Sequence, residues 1–212
     1  MTDMMKNYYE KRGRVLVKNL QNRHFDAYYC ETAEQALSQA LSLIPEGASV
    51  GWGGCLSAQQ IGLIDAVRAG SYQTIDRDRA ATPEERVRKM KECLFADVFI
   101  SGANGLSLDG QMVNIDGTGN RVAAIVYGPE SVIVIAGMNK VMDTLEDAVT
   151  RARTVAAPMN KQRFPFKTPC DATGACADCK MAECICNQIL ITRNCRPAGR
   201  IKIILVGEEL GL

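Results

Sequence analysis

Five of the nine cysteines lie in one short segment, residues 169–187. Their spacing is C-x5-C-x2-C-x4-C-x-C, and the segment contains no histidine. Thiolates bind soft, thiophilic centres such as zinc, copper(I) and iron–sulfur clusters. The five cysteines are Cys170, Cys176, Cys179, Cys184 and Cys186. This concentration predicts a metal centre in a cysteine-rich module over 168–188.

The spacing favours an iron–sulfur cluster over zinc. A [4Fe-4S] cluster takes four thiolates, whose spacing can be irregular, whereas structural zinc most often uses two C-x2-C pairs. One such pair is present, and the only histidine, His24, is remote in sequence. Zinc is the alternative, and metal-free structural or redox thiols are a third hypothesis. The expected ligands are Cys170, Cys176, Cys179 and Cys186, with Cys184 as a spare or in place of Cys186.

A second set of candidate residues lies in loops rich in glycine and polar side chains. Glycines allow a close approach of the backbone to an anion, and Arg and Lys bind carboxylate or phosphate by charge. The alternatives are an ordinary tight turn and solvent-exposed or ion-paired charges. The candidates for anion binding are Gly51, Gly53, Gly54, Cys55, Asn104, Asn114, Asp116, Gly117, Gly119, Asn120, Arg121, Asn139 and Lys140.

Three of these residues are candidates for catalysis, namely Cys55, Asp116 and Lys140. Cys55 follows two glycines at a predicted helix N-terminus, where the pKa of a thiol is lowered. A serine hydrolase is disfavoured because the chain has one histidine and no G-x-S-x-G motif.

The elements that position these loops alternate between strand and helix. The patterns predict strands over 25–30, 48–52, 73–75, 97–102, 112–115 and 131–136, and helices over 2–23, 33–44, 58–69, 83–95, 120–127 and 144–156. Two closing strands, 189–192 and 201–206, are predicted as a hairpin. The fold class is therefore α/β, with a mainly parallel sheet between helices. The loops 51–55, 102–105, 114–121 and 137–140 then meet beyond the carboxyl ends of the strands.

Composition limits the class of protein. The 212 residues include 25 basic and 24 acidic side chains, a balance that argues against a general nucleic-acid binder. No apolar run approaches the roughly 20 residues of a membrane-spanning helix, and the polar N-terminus lacks a signal peptide's apolar core. We therefore expect a cytoplasmic protein with a single domain over 1–212. Its polar first element, 1–24, packs on the outside of the domain or against a second copy in a homodimer.

The sequence also resembles the LUD (lactate utilization) domain family, in its short form with a C-terminal cysteine module. SGANGLSLDGQMVNIDGTGNRVAAIVYGP (101–129), VIVIAGMNKVMDTLEDA (132–148) and RARTVAAPMN (151–160) carry the resemblance, together with TPCDATGACADC (168–179), CICN (184–187) and the ending ILVGEELG. The resemblance implies a fold similar to NagB, RpiA and the CoA transferases, which is Rossmann-like. It also implies a link to oxidation of L-lactate alongside iron–sulfur proteins. Cys55 stands where the family often has serine, and Cys184 where similar chains often have arginine.

Three functions follow as hypotheses. The first is a redox-linked protein that assists oxidation of L-lactate or a related 2-hydroxy acid with an iron–sulfur cluster and partner proteins. The second is a non-redox enzyme that binds a sugar phosphate or CoA ester and carries structural zinc. The third is a non-catalytic subunit of an iron–sulfur complex.

Overall fold

The computed structural model describes residues 2–165 and 167–212. The helices are α1 Asp3–Asn22, α2 Ala33–Ser42, α3 Leu56–Gln60, α4 Leu63–Ala69, α5 Pro83–Glu92, α6 Asn120–Val126, α7 Leu145–Arg151, α8 Ala157–Lys161 and α9 Pro169–Thr173. The strands are β1 Asp26–Cys30, β2 Ser49–Trp52, β3 Gln73–Ile75, β4 Val98–Gly102, β5 Gly105–Ser107, β6 Met112–Asp116, β7 Ser131–Gly137, β8 Val141–Met142, β9 Gln188–Thr192 and β10 Ile201–Val206.

The main sheet has six parallel strands in the order β1-β10-β7-β4-β2-β3. The apolar run of β7 lies inside it, as predicted, with Val134 opposite Ile203 on one side and Ser101 on the other. Successive strand residues point to opposite faces. Val134 accordingly packs in the core cluster under α1, and Ile133 packs in the cluster under α2 and α4. The predicted class, a mainly parallel sheet between helices, is confirmed.

A smaller sheet, in the order β8-β5-β6-β9, lies beside the first. The expected turn at Leu108–Gln111 joins β5 and β6 as an antiparallel pair. The predicted hairpin of the last two strands is wrong. β9 pairs antiparallel with β6, whereas β10 lies between β1 and β7. β10 is almost entirely buried and suits a central position, while β9 is largely exposed and suits a sheet edge.

Two of the predicted helices differ most from the structure. The helix expected over 58–69 is two helices, because the chain turns at Gly62, whose φ of +79° favours glycine. The helix expected to end near Pro158 continues to Lys161 through a π-helical turn, Ala152–Ala156. This wider turn immediately precedes Pro158, whose missing N–H interrupts the ordinary ladder of hydrogen bonds. Thr144, not Asp143 as predicted, caps α7 by accepting the Asp147 N–H at 3.1 Å.

The predicted capping at α2 and α5 is present. Thr32 accepts the Gln35 N–H at 3.3 Å, and Thr82 accepts the Glu85 N–H at 3.1 Å. α5 ends at Glu92, before the predicted limit of 95, and a 3-10 turn follows it. Among the helices of residues 2–165 and 167–212, none is both long and apolar enough to cross a membrane.

Candidate anion cleft and cysteine pocket

A cavity of about 500 Å³, here called the basic cleft, lies at the carboxyl ends of β2 and β4 of the main sheet and of β6 of the smaller sheet. All four predicted loops contribute to it. Eight of the predicted residues line it, namely Gly54, Cys55, Asn104, Asp116, Gly117, Asn120, Arg121 and Lys140.

The other five predicted residues do not line the cleft and instead support it. A Cβ on Gly51 would lie 2.6 Å from the Cys93 sulfur, and one on Gly53 would lie 3.1 Å from the Arg121 side chain. Gly119 has a φ of +87° at the start of α6. Asn114 donates to the Gly102 carbonyl at 2.8 Å, and the side-chain oxygen of Asn139 accepts the Leu210 N–H at 3.1 Å. These contacts give the five residues structural roles.

Asp116 organises the loop that enters α6. One carboxylate oxygen accepts the N–H groups of Thr118 and Gly119 at 3.2 and 3.0 Å. The other accepts those of Arg121 and Val122 at 3.2 and 3.3 Å. With both oxygens bonded to its own loop, Asp116 has a structural role that is sufficient to explain its burial.

Arg121 brings a partly buried positive charge to the cleft, with 14% of its side chain exposed. Its guanidinium donates to the side-chain oxygen of Asn104 at 2.9 Å and to the Ile115 carbonyl. Its Nε lies 3.7 Å from Asp116, too far for a hydrogen bond. Burial lowers the pKa of Arg121, which the nearby Asp116 partly offsets. An anionic ligand would supply the compensation that this cation lacks in the protein alone.

Lys140 is the second cation of the cleft and is buried, with only 4% of its surface exposed. Its Nζ donates to the Ser57 hydroxyl at 3.1 Å, and no carboxylate of residues 2–165 or 167–212 lies within ion-pair distance of it. Burial lowers the pKa of Lys140 to about 8. Cys55 opposes this shift, and the positive charges of Arg151 and Arg121 add to it. The amine therefore changes protonation near neutral pH.

Cys55 lies beside both cations, and its sulfur accepts the Ala58 N–H at 3.4 Å. The expected lowering of its pKa is not found. Burial raises the pKa of the Cys55 thiol and outweighs the lowering by Lys140, Arg121 and nearby N–H groups. The buried thiol is thus a neutral neighbour of Lys140.

Four further cations line the cleft that were not among the predicted site residues: Arg68, Arg77, Arg86 and Arg163. The cleft lining then includes six cationic side chains and two carboxylates, those of Asp78 and Asp116. A signal for Arg77 was available in the sequence. The charged run 76–79 directly follows β3, at the same edge of the sheet as the glycine loops. This excess of positive charge suits an anionic ligand.

The cysteine-rich module forms a separate cavity of about 210 Å³, here called the cysteine pocket. Its lining includes all five cysteines of the module, Cys170, Cys176, Cys179, Cys184 and Cys186. All five are free thiols. Burial raises the pKa of Cys186 to about 12, and Cys184, Cys176 and Cys170 add to this effect. The thiols are therefore close enough to influence one another's ionisation.

The chemistry of this donor set fits a thiophilic centre, since five sulfurs and no histidine surround one cavity. A bound metal would stabilise the ionised thiolates, because without it their negative charges repel one another. The sulfurs do not stand in a ready ligand arrangement. Within the described ranges, 2–165 and 167–212, no group of three or more His, Cys, Asp or Glu side chains is placed to hold a metal ion. Binding would therefore require the side chains of the irregular segment 174–187 to move together.

The cysteine pocket adjoins the basic cleft. Ile185, between Cys184 and Cys186, lines both cavities. Asn187 ties the module to the Asp116 loop, donating its side-chain amide to the Gly117 carbonyl and its backbone N–H to the Asp116 carbonyl, both at 2.9 Å. The chain at Ile185 therefore forms a wall that the two cavities share.

Comparison with known proteins agrees with this arrangement. The model of the family described as the LUD domain matches residues 13–206. The chain belongs to the LUD domain family. The resemblance predicted from the sequence motifs is thereby confirmed.

A solved structure supports the fold of this LUD domain. The crystal structure of a DUF162 family protein from Deinococcus radiodurans, at 1.70 Å resolution, superposes with a TM-score of 0.54. The similarity covers 93% of this chain and 98% of that chain, at 12% sequence identity. At this identity the likeness concerns the fold. No curated protein matches the chain in sequence.

Proposed function

We propose that this LUD protein assists the oxidation of L-lactate or a related 2-hydroxy acid, with an iron–sulfur cluster bound at the cysteine pocket. The observation that carries the proposal is the shared wall at Ile185, which lies between a cationic cleft and a five-thiol cavity. A small anion bound in the cleft would therefore lie next to the redox-active group.

The cleft binds the carboxylate of the acid. Lys140 is buried and Arg121 is partly buried, and both lack a carboxylate within hydrogen-bond distance among the residues that the structure describes. Charge-assisted hydrogen bonds to an anion are stronger than neutral ones and offset the cost of burying these cations. Protonated Lys140 would contact the carboxylate together with Arg121, whereas the neutral amine that predominates above its pKa of about 8 would instead accept the hydroxyl proton and leave the carboxylate to Arg121.

The cysteine pocket would hold the cluster through Cys170, Cys176, Cys179 and Cys186. A cluster on these thiolates would supply one-electron redox chemistry. Oxidation of a 2-hydroxy acid to a 2-oxo acid breaks a C–H and an O–H bond, forms a carbonyl and releases two electrons and two protons. The reaction therefore needs an acceptor outside this chain, a role that we assign to an iron–sulfur partner protein in the cytoplasm.

The proposed assembly includes a second copy of the chain. Met4, Tyr8 and Val15 are exposed apolar side chains of α1. Apolar side chains at a helix surface favour packing against a partner. A homodimer through α1 would leave the basic cleft open.

The proposal is tested by anaerobic mixing of the protein with L-lactate and a one-electron dye. We expect lactate-dependent reduction of the dye, with the visible absorption of the protein changing in the same time. Lys140→Met is the informative variant because it removes a cation with no ion-pair partner. It should slow the reaction by about tenfold or more, as expected for a lost charge-assisted contact.

Lys11→Met is the matched control, since Lys11 is exposed on α1 and lies outside the cleft. Its rate should equal that of the wild type. Failure of L-lactate and of other 2-hydroxy acids to reduce the wild-type protein would overturn the proposed function.

A further inference from the structure

Arg77 is a buried cation of the cleft whose charge the protein leaves poorly compensated. Only 8% of its surface is exposed, yet its Nε has no hydrogen-bond partner within residues 2–165 and 167–212. The nearest carboxylate oxygen, on Asp78, is 3.8 Å away. That carboxylate is engaged elsewhere, accepting from the Trp52 indole at 3.0 Å and from Arg86 at 3.3 Å. A buried guanidinium without hydrogen bonds is costly, so a ligand that pairs with it would be strongly favoured.

The position of Arg77 places this charge inside the cleft. It lines the cavity together with Gly54, and a Cβ built on Gly54 would lie 3.4 Å from an Arg77 terminal nitrogen. The absence of a side chain at residue 54 therefore keeps the guanidinium accessible from the cavity. Burial lowers the pKa of Arg77, and Arg86 lowers it further, against the opposing effect of Asp78.

Arg77 and the carboxylate-binding pair reach the cleft from different elements. Arg77 comes from the 3-10 turn Arg77–Arg79 after β3, whereas Arg121 and Lys140 follow β6 and β7. The two arginines lie against adjacent glycines, since a Cβ on Gly54 would be 3.4 Å from Arg77 and one on Gly53 would be 3.1 Å from Arg121. A three-carbon 2-hydroxy acid would fill only a small part of a cavity of about 500 Å³. A ligand that contacts Arg77 as well as Arg121 and Lys140 would therefore carry two anionic groups.

We propose that Arg77 and Arg86, at the Gly54 turn, form a second anion subsite, so that the ligand of the cleft is a 2-hydroxy acid bearing a second anionic oxygen group. The inference rests on the proposed function for the 2-hydroxy acid part of the ligand. The second group is a carboxylate or a phosphoryl group, since both match a guanidinium in charge and hydrogen bonding.

Calorimetric titration of anaerobically prepared protein tests the subsite. The probes are L-lactate, L-malate, which adds a carboxylate, and 3-phosphoglycerate, which adds a phosphoryl group to the same three-carbon skeleton. We expect malate or 3-phosphoglycerate to bind about tenfold or more tightly than lactate. The tighter of the two identifies the second group. Equal affinity for all three probes would overturn the inference.

Two substitutions at Gly54 test the subsite without removing a buried side chain. Gly54 has no positive φ, and the space beside it is open to a side chain. Gly54→Asp would place a carboxylate on Arg77 and compete with the second group, whereas Gly54→Asn adds the same bulk without charge. Both variants can weaken the preference for malate or 3-phosphoglycerate over lactate. We expect the loss in Gly54→Asp to be about tenfold larger than the loss in Gly54→Asn. An equal loss in both variants would show steric blockage and would contradict a subsite built on the Arg77 charge.

Arg77→Gln completes the test, with folding checked by circular dichroism. The dissociation constant of lactate divided by that of the tighter probe, malate or 3-phosphoglycerate, should fall about tenfold in this variant. An unchanged ratio in folded Arg77→Gln would overturn the inference. The redox proposal is tested separately, by dye reduction, and does not depend on this binding result. A preference that depends on Arg77, found in protein without lactate-dependent reduction, would support the subsite and reject the redox function.

Discussion

Several side chains of the basic cleft, among them Asp116 and Lys140, are buried and hydrogen-bonded, whereas four of the five thiols of the cysteine pocket stand on a largely exposed segment without regular structure after α9. In the cleft, Asp116 alone accepts four backbone N–H groups. The module is held at its ends by Lys161 and Asn187 and near its middle by the ion pair of Asp178 with Arg153. The folded core fixes the side chains of the cleft, whereas the arrangement of the pocket depends on the metal that its sulfurs bind.

The largest effect is expected from removing Asp116, since this breaks the organisation of the cleft. Asp116→Ala leaves four N–H groups without their acceptor and removes the carboxylate 3.7 Å from Arg121, and should destabilise the protein by about 3–5 kcal/mol. Urea unfolding measures this. Asp143→Ala is the control because its ion pair with Arg12 is exposed, and it should cost less than about 1 kcal/mol. Similar losses in the two variants would contradict a special role for Asp116.

Lys140 gives the cleft a pH dependence of its own. Its folded pKa of about 8 lies below its ordinary value of 10.5, so between these values the unfolded chain binds more protons. Stability contributed by this residue therefore rises with pH across that window, by about 3 kcal/mol. Urea unfolding of the wild type and Lys140→Met from pH 7 to 11 should show Lys140→Met more stable below pH 8, with the difference vanishing by pH 10.5. A constant difference would contradict the prediction.

A smaller and more local effect is expected where the module joins the core. Lys161 is fully buried and donates to the Phe164 carbonyl and to Asp171, both at 3.0 Å. Lys161→Met should release this end of the module at a cost of about 1–3 kcal/mol. Trypsin cleavage at Lys167 and Lys180 should accelerate by about tenfold. Equal cleavage of Lys161→Met and wild type would show that the module is held elsewhere.

The smallest effect is expected at Cys184. Its sulfur accepts the Cys186 N–H at 3.4 Å, a bond that a serine oxygen can replace. Cys184→Ser should therefore retain the wild-type metal content, and Cys179→Ser should lose it. Metal retained in Cys186→Ser but lost in Cys184→Ser would reverse the proposed roles of these two neighbours.

The sequence was sufficient to predict what depends on local pattern. The β-branched run of β7 predicted a central parallel strand, and the four loops at the strand ends predicted a common cleft. Thr32 and Thr82 predicted two helix starts. Each of these follows from residues close together in the chain.

The errors concern long-range effects. β9 and β10 are neighbours in sequence but join different sheets, because pairing is decided by burial against distant strands. The pKa of Cys55 rises since the surrounding core excludes water, which spacing does not reveal. Arg77 stood in a run of alternating charges typical of a solvated surface, and only the sheet order brings it to the cleft.

The most direct test of the redox centre is a metal analysis and visible absorption spectrum of protein purified without oxygen, beside Cys176→Ser. We predict a brown protein with about four irons per chain that is bleached by dithionite, and a colourless variant. Colourless wild-type protein with about one zinc per chain would contradict the proposal and would leave the basic cleft as the only proposed site of chemistry.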